Sequence, residues 1–305
     1  MLASAPTGGE SKLMGTRLVL LIEVLGGAIS HSLALLSDAG HMLTDVVALG
    51  LAWLALRQST KPADLRHTYG HHRFGILAAM LNGGLLVAIV IVIVYEAVQR
   101  LLHPEPVQAG LVVVTALVAI AVNAYLASSL STPAANLNVR AARLHVLSDL
   151  AGSIGVVVAG GVILVSGWLA ADALIALAIA ALIAWGAGRL VTETVHILLE
   201  GAPRGVELTT VRTRIEGTPG VDSVHDLHVW MLAPEQVALS CHVVVPEARL
   251  SDGEHLVREL EASLCDEFGV GHTTIQLEAC HPCEGETDHA LGQHTHPHPP
   301  VARTG

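Results

Sequence analysis

The sequence contains few charged and few aromatic residues. Only 14% of its 305 residues are Asp, Glu, Lys or Arg and only 3% are Phe, Trp or Tyr, whereas 52% are hydrophobic. Soluble domains carry about 25% charged residues, so this composition excludes a water-soluble globular fold for most of the chain. The net charge of -11 argues against a basic nucleic-acid-binding surface, and no nucleic-acid partner is expected.

Cysteine is also scarce, with four residues that all lie beyond residue 240. Four cysteines in so long a chain do not form the disulfide framework of a small secreted domain. Cys280 and Cys283 form a Cys-x-x-Cys pair, which predicts a metal clip or a reduced thiol pair. Residues 1–12 lack the basic segment and cleavage site of a signal peptide and are expected to be cytoplasmic.

The apolar residues form six runs, each long enough to cross a membrane as a helix, which needs about 20 residues. The runs cover residues 13–35, 36–56, 74–102, 107–130, 137–167 and 169–199, with tight turns expected near residues 31 and 167. If the N-terminus is cytoplasmic, Lys and Arg residues before residue 200 lie on the inner side, with Arg100 as the exception. We therefore expect a membrane domain of six transmembrane helices over residues 13–200, with both termini cytoplasmic.

Beyond residue 200 the pattern becomes that of a small soluble domain. Residues 224–232, 236–245 and 273–279 have the composition and alternation of strands, and residues 207–217 and 253–268 those of helices. This α-β-β-α-β order over residues 201–283 predicts a small cytoplasmic α+β domain. Residues 284–305 are rich in His and Pro, and we expect a disordered tail.

Two of the predicted membrane helices carry the same polar motif. The second contains His41 and Asp45, and the fifth contains His145 and Asp149, so each pair lies on one helical face. An Asp at the centre of a membrane costs roughly 2.5–3.5 kcal/mol in insertion free energy, so these residues are expected to have a function there. Together they form a four-ligand set suited to tetrahedral Zn²⁺. The alternative is two unrelated pairs, each His bonded to its own Asp.

The depth of the two motifs constrains the fifth helix. The second and fifth helices run antiparallel, and each motif lies toward the N-terminal half of its helix. The motifs become level only if the fifth helix begins well inside the cytoplasm, near residue 137. The other intramembrane acids have no spaced partner and are interpreted as helix-end, packing or water-cavity groups, with Asp38 near the outer side of His41; they are Glu23, Asp38, Glu96 and Asp172.

The chain resembles the cation diffusion facilitator family, which exchanges divalent metal for protons. The resemblance spans residues 13–283 and is carried by segments 37–45 and 138–142, by Tyr69, Gly70, Arg73, His145 and Asp149, and by Val229 and Trp230. The sequence is close to the bacterial zinc exporters of that family, which implies an integral protein of the bacterial inner membrane. It also implies a homodimer and a cytoplasmic domain of ferredoxin-like topology. His41 at the first motif position is associated with zinc over cadmium.

The resemblance implies further metal ligands outside the membrane. Asp64, His67 and His71 match a loop metal site of some relatives, although an ordinary polar loop would also explain them. His225, His242 and Glu278 correspond to cytoplasmic zinc ligands of the family. Additional candidate ligands, for each of which a solvated surface residue is the alternative, are His228, His255, His272, Cys280 and Cys283.

The four intramembrane ligands also titrate, which predicts a mechanism. Zinc needs neutral imidazole and ionised carboxylate, so metal and protons compete for the same atoms, near physiological pH for histidine. We expect a secondary transporter, not an enzyme, that exports Zn²⁺, with Cd²⁺ and Co²⁺ as further candidates, in exchange for protons. A metal-gated channel would use the same ligands. An intramembrane zinc hydrolase is the remote alternative, since its His-Glu-x-x-His motif is absent.

Overall fold

The structure, a computed structural model, describes residues 8–129, 137–234, 236–246 and 253–279. Within these ranges it describes the side chains of all residues except 8–17, 126, 129 and 137–145. The chain divides into two compact units. One comprises Met1–Lys61 and Leu77–Glu193, and the other comprises Pro62–Ile76 and Thr194–Gly305. The loop between the second and third helices therefore folds with the C-terminal domain rather than with the membrane helices.

Six long helices account for the apolar runs, as predicted. They are α1 (Gly8–Ser30), α2 (Leu33–Ser59), α3 (Arg73–Leu102), α4 (Ala109–Ser129), α5 (Leu137–Ser166) and α6 (Ala170–Leu198). The shortest has 21 residues, which spans roughly 30 Å at 1.5 Å per residue. Four of them are long and apolar enough to cross a membrane over their described residues alone.

Large apolar and aromatic side chains cover the outside of the helical unit, where lipid would replace water. Trp53 and Trp185 are exposed. The guanidinium of Arg57 lies 5.8 Å from the ring centre of Trp53, and that of Arg189 lies 5.5 Å from the ring centre of Trp185. Aromatic and basic side chains of this kind are enriched at membrane interfaces. Both pairs lie in the C-terminal halves of α2 and α6, the cytoplasmic ends in the predicted orientation.

The two expected tight turns are present, and each contains a residue with positive φ. Gly167 (φ 69°) follows α5, and His31 (φ 56°) separates α1 from α2. The first apolar run was predicted to end at residue 35, but α1 ends at Ser30 and α2 begins at Leu33. The reason is that the hydroxyl of Ser32 accepts a hydrogen bond from the Leu35 backbone N–H and so caps the start of α2. His31 is thus an exposed residue of the turn.

The C-terminal domain has the predicted order of elements. They are α7 (Leu208–Glu216), β1 (Ser223–Ala233), β2 (Gln236–Val244), α8 (Gly253–Phe268) and β3 (Val270–Glu278). The last strand begins earlier than predicted, at Val270, because Gly269 adopts φ 69° and ends α8. The sheet order is β1-β2-β3. β1 pairs antiparallel with β2 as a hairpin, and β2 pairs parallel with β3 through the crossover helix α8.

The topology matches the last five elements of the ferredoxin-like β-α-β-β-α-β arrangement. The described residues 199–207, between α6 and α7, form turns rather than a first strand. β2 and β3 are therefore direct neighbours. Apolar side chains of both helices and all three strands form the core, including the fully buried Val211, Leu239, Leu260 and Leu264.

Candidate metal centres

The predicted membrane motifs meet in the helical unit. Ligand atoms of His41, Asp45 and Asp149 all lie within 4.8 Å of one another. The His41 Nε2 atom lies 3.9 Å from Asp45 Oδ2 on the next turn of α2, which is longer than a hydrogen bond. Neighbouring ligands of a tetrahedral zinc ion with bonds of 2.0–2.2 Å lie about 3.4 Å apart, so small side-chain movements would close this set around a metal.

The fourth predicted ligand, His145, has a side chain outside the described residues. Its backbone lies in α5, one turn before Asp149 and on the same helical face. α5 begins at Leu137, where the depth of the motifs required it to begin. Asp149 is 7% exposed, and a buried carboxylate beside that of Asp45 is costly unless a cation or proton lies with them. The donor atoms of this cluster and their spacing fit a divalent cation.

The loop cluster lies between α2 and α3. Ligand atoms of Asp64, His67 and His71 lie within 4.8 Å of one another. Asp64 Oδ1 accepts hydrogen bonds of 2.7 Å from the backbone N–H groups of Arg66 and His67. These two bonds lower the pKa of the Asp64 carboxyl below its ordinary value, so it is ionised at neutral pH. Asp64 and His67 are about half exposed, which also suits a plain polar loop.

The cytoplasmic cluster draws one ligand from each strand. His225 of β1 stands opposite His242 of β2 in the antiparallel register. Glu278 at the end of β3 lies between them, with Oε2 at 3.1 Å from His225 Nε2 and Oε1 at 3.0 Å from His242 Nδ1. Two imidazoles and one carboxylate are a donor set that fits zinc. The hairpin aligns the two histidines, and the parallel return of β3 supplies the carboxylate.

Sequence reasoning missed Asp226 in this cluster. Its Oδ1 atom lies 3.0 Å from His228 Nε2, and its Oδ2 atom lies 4.0 Å from His242 Nε2. Asp226 has φ 51° and sits at an irregularity of the β1–β2 pairing between His225 and His228. A feature that could have revealed Asp226 is the spacing of the apolar residues Val224 and Leu227. Both are buried but three positions apart, which breaks the two-residue alternation of a strand and is typical of a β-bulge.

The other predicted ligands do not join a three-ligand group within the described part of the chain. His255 is exposed on α8. His272 is exposed on β3, where its ring lies edge-on to Tyr69 with 5.2 Å between ring centres. His228 contacts Asp226 through its Nε2 atom. Cys280 and Cys283 lie outside the described residues, so their pairing stays a prediction.

Three of the remaining intramembrane acids have identifiable partners. Asp172 in the first turn of α6 accepts hydrogen bonds from the Ser32 hydroxyl at 2.5 Å and from the Leu33 backbone N–H at 2.6 Å, as expected for a helix-end group. Glu96 lies 3.3 Å from Arg100, which also approaches Asp172 at 3.8 Å. Asp38 accepts a hydrogen bond from the Ser153 hydroxyl at 3.3 Å.

Two family models match nearly the whole chain. The cation efflux transmembrane domain matches residues 14–199, and the cytoplasmic domain of cation efflux proteins matches residues 203–280. The C-terminal domain is therefore cytoplasmic and the protein is an integral membrane protein. These models describe transporters rather than enzymes, so the hydrolase alternative is not supported.

Characterised relatives cover most of the chain. A cadmium, cobalt and zinc/H⁺-K⁺ antiporter of Bacillus velezensis is 38% identical, covering 91% of this chain and 92% of the relative. The zinc transporter ZitB of Escherichia coli is 41% identical, covering 92% of this chain and 90% of the relative. A solved metal-bound C-terminal domain of the CzcD transporter from Cupriavidus metallidurans is 41% identical over 24% of this chain and 99% of that chain, with a TM-score of 0.23. The chain therefore belongs to the cation diffusion facilitator family.

Proposed function

We propose that this protein exports Zn²⁺ from the cytoplasm in exchange for protons, through one site formed by His41, Asp45, His145 and Asp149. The observation that carries the proposal is the approach of Asp149 on α5 to His41 and Asp45 on α2, with ligand atoms within 4.8 Å. Two different helices thereby supply ligands inside an apolar helical unit. The names of the relatives, a zinc transporter and a zinc/proton antiporter, support the same substrate.

Proton exchange follows from the chemistry of the ligands. Zinc binds neutral imidazole and ionised carboxylate, so each arriving ion displaces the protons that the empty site holds. When the helices open the site to the outside, protons at higher concentration compete for the same atoms and release the metal. An inward proton gradient thus drives export. His41 would favour zinc over cadmium, as the family resemblance implies, while Cd²⁺ and Co²⁺ are further substrates.

The assembly and the sites outside the membrane complete the proposal. The protein works as a homodimer in the inner membrane of a bacterium, with both termini cytoplasmic. His225, His242 and Glu278 hold a zinc ion that stabilises the cytoplasmic domain, and Asp64, His67 and His71 hold another in the loop. The convergence of each group within 4.8 Å supports these assignments. A metal that binds one conformation better shifts the population toward it, so these sites would adjust transport to cytoplasmic zinc.

Zinc flux in proteoliposomes tests the function directly. With equal zinc concentrations on both sides, an imposed pH gradient should drive zinc toward the acidic side. Collapsing the gradient with a protonophore should stop this movement. The channel alternative predicts instead that zinc moves down its own gradient at a rate independent of the pH gradient, and that result would overturn the proposal.

A further inference from the structure

The polar stripes that form the membrane site continue one turn beyond it. On α2, Asp38 lies on the same face as His41 and Asp45, at the preceding turn. On α5, Ser153 follows Asp149 by one turn and on the same face. The two extensions meet, because the Ser153 hydroxyl donates a hydrogen bond of 3.3 Å to Asp38 Oδ2. The polar path between the two helices is therefore longer than the four-ligand site requires.

The extension points toward the outside of the membrane. The C-terminal domain is cytoplasmic and six helices precede it, so α2 begins at the outer side and α5 ends there. Asp38 is nearer than His41 to the start of α2, by about 4.5 Å along the helix axis at 1.5 Å per residue. Ser153 is likewise nearer than Asp149 to the end of α5. A cation that left the four-ligand site outward would meet these oxygen atoms next.

A third helix contributes a carboxylate to the same place. Glu23 of α1 is 0% exposed, and neither of its carboxylate oxygens has a hydrogen-bond partner among the described residues. It lies close enough to Asp38 and Asp149 for their charges to interact. An unpaired carboxylate with no access to solvent is costly in an apolar interior, so natural proteins retain one where a ligand or proton joins it. The interior of α1 thus carries a group that packing does not explain.

The backbone of α5 leaves room for the Asp38 carboxylate. A Cβ atom at Gly152 would lie 3.0 Å from Asp38 Oδ1, which is closer than most Cβ contacts, and 3.5 Å from its Cγ atom, which is an ordinary contact. Glycine therefore allows the carboxylate to lie against the helix beside Ser153. At Gly161, further along the same helix, an added Cβ atom would meet nothing within 4 Å. The contrast makes Gly161 a matched control for Gly152.

We propose that Glu23, Asp38 and Ser153 form a second, oxygen-only station that receives the divalent cation from the four-ligand site and passes it to the outside. This inference rests on the proposed export function. Two carboxylates balance the charge of a divalent ion, and oxygen ligands without imidazole hold zinc less tightly than the four-ligand site. Passage through sites that are weak enough to leave is the general requirement for moving an ion across a membrane.

Binding of Mn²⁺ to the full-length protein tests the station without transport. Mn²⁺ suits carboxylate and water ligands, and its electron paramagnetic resonance spectrum separates free from bound ion. The parent would be Asp45→Ala, which disables the four-ligand site. Adding Asp38→Asn or Glu23→Gln should remove one bound Mn²⁺ per chain, whereas adding Glu96→Gln should remove none. An unchanged Mn²⁺ count in both station variants would overturn the proposal, and would leave protons as the only ligands of these carboxylates.

Transport by two glycine variants tests the role in export. Gly152→Ala should lower kcat by about tenfold, the effect of displacing a group that supports a metal site, with little change in KM for cytoplasmic zinc. Gly161→Ala should transport normally. Equal kcat values for the two variants, or a lower Mn²⁺ count with unchanged kcat in Asp38→Asn, would overturn the transit role. If the unsubstituted protein shows no pH-driven flux, the proposed function fails, while the Mn²⁺ count still decides whether the station exists.

Discussion

The Asp172 carboxylate at the start of α6 accepts a hydrogen bond of 2.6 Å from the backbone N–H of Leu33, the first residue of α2. A carboxylate at a helix N-terminus satisfies free N–H groups and interacts favourably with the helix dipole. The same carboxylate lies 3.8 Å from Arg100 of α3. One buried side chain thus joins three helices at their outer ends.

Removing this carboxylate should destabilise the helical unit. Hydrogen bonds to charged groups contribute about 1.5–3 kcal/mol, so Asp172→Ala should lower the free energy of unfolding by roughly that amount. Thermal unfolding of the detergent-solubilised protein measures the effect. Glu105→Ala is the control, because Glu105 is 3.9 Å from Arg100 but largely exposed and should matter little. Equal melting temperatures for the two variants would contradict the capping role.

Each ligand of the proposed transport site should be necessary for flux. Asp45→Ala and Asp149→Ala each remove a carboxylate that would bind zinc directly, so both should reduce proteoliposome flux to the level of empty vesicles. The same is expected for His41→Ala and His145→Ala. Size-exclusion chromatography should show that the variants still insert and assemble.

A control for these variants lies on the same helix. Thr44 is next to Asp45, and its hydroxyl donates a hydrogen bond of 2.6 Å to the His41 carbonyl oxygen within α2. Thr44→Val keeps the shape of the side chain and should keep most of the flux. Near-normal transport by both Asp45→Ala and Asp149→Ala would show that the four residues are not the transport site.

His41 should set the choice of metal. A carboxylate can bind a metal through one or both of its oxygens, so it is less restrictive than imidazole toward the larger Cd²⁺, and His41→Asp should raise cadmium flux relative to zinc flux. Competition between the two metals in the same vesicles measures the ratio. If the ratio is the same as in the unsubstituted protein, selectivity arises elsewhere.

Zinc should stabilise the cytoplasmic domain through Glu278, which contacts both His225 and His242. A ligand that binds only the folded state raises the melting temperature, and removing a ligand residue reduces that gain. Unfolding of the full-length protein with and without zinc should therefore show a smaller zinc-dependent shift in Glu278→Gln and His242→Ala. His255→Ala is the matched control because His255 is exposed outside the cluster. Equal shifts in all three variants would leave the domain without this metal site.

The two described cysteines of the cytoplasmic domain should differ in reactivity. Burial raises the pKa of Cys241 to about 12, whereas Cys265 is exposed. The thiolate is the reactive form, so at pH 8 the fraction available at Cys241 is roughly a thousandfold below that of an ordinary thiol. In a Cys280→Ser/Cys283→Ser background, maleimide should label Cys265 in the folded protein and Cys241 only after unfolding. Labelling of both at the same rate would contradict the burial of Cys241.

Much of the architecture could be predicted because it depends on local pattern. Apolar runs of sufficient length form membrane helices wherever they occur, so all six helices were expected, and α8 (Gly253–Phe268) has the predicted bounds. The predictions were wrong where a single contact sets an end. Ser32, the last of three polar residues in an otherwise apolar stretch, caps α2. Gly269 ends α8, so β3 begins at Val270, earlier than the alternation of the sequence predicted.

The sequence by itself determined which side chains share a helical face. His41 and Asp45, like His145 and Asp149, must project together from their helices, because 3.6 residues make one turn whatever surrounds the helix. Only the tertiary structure decided which faces meet. The approach of Asp149 to His41, of Ser153 to Asp38, and of Glu278 to His225 and His242 depends on how helices cross and strands return. These contacts join residues far apart in the chain, and no local spacing specifies the distance between two packed elements.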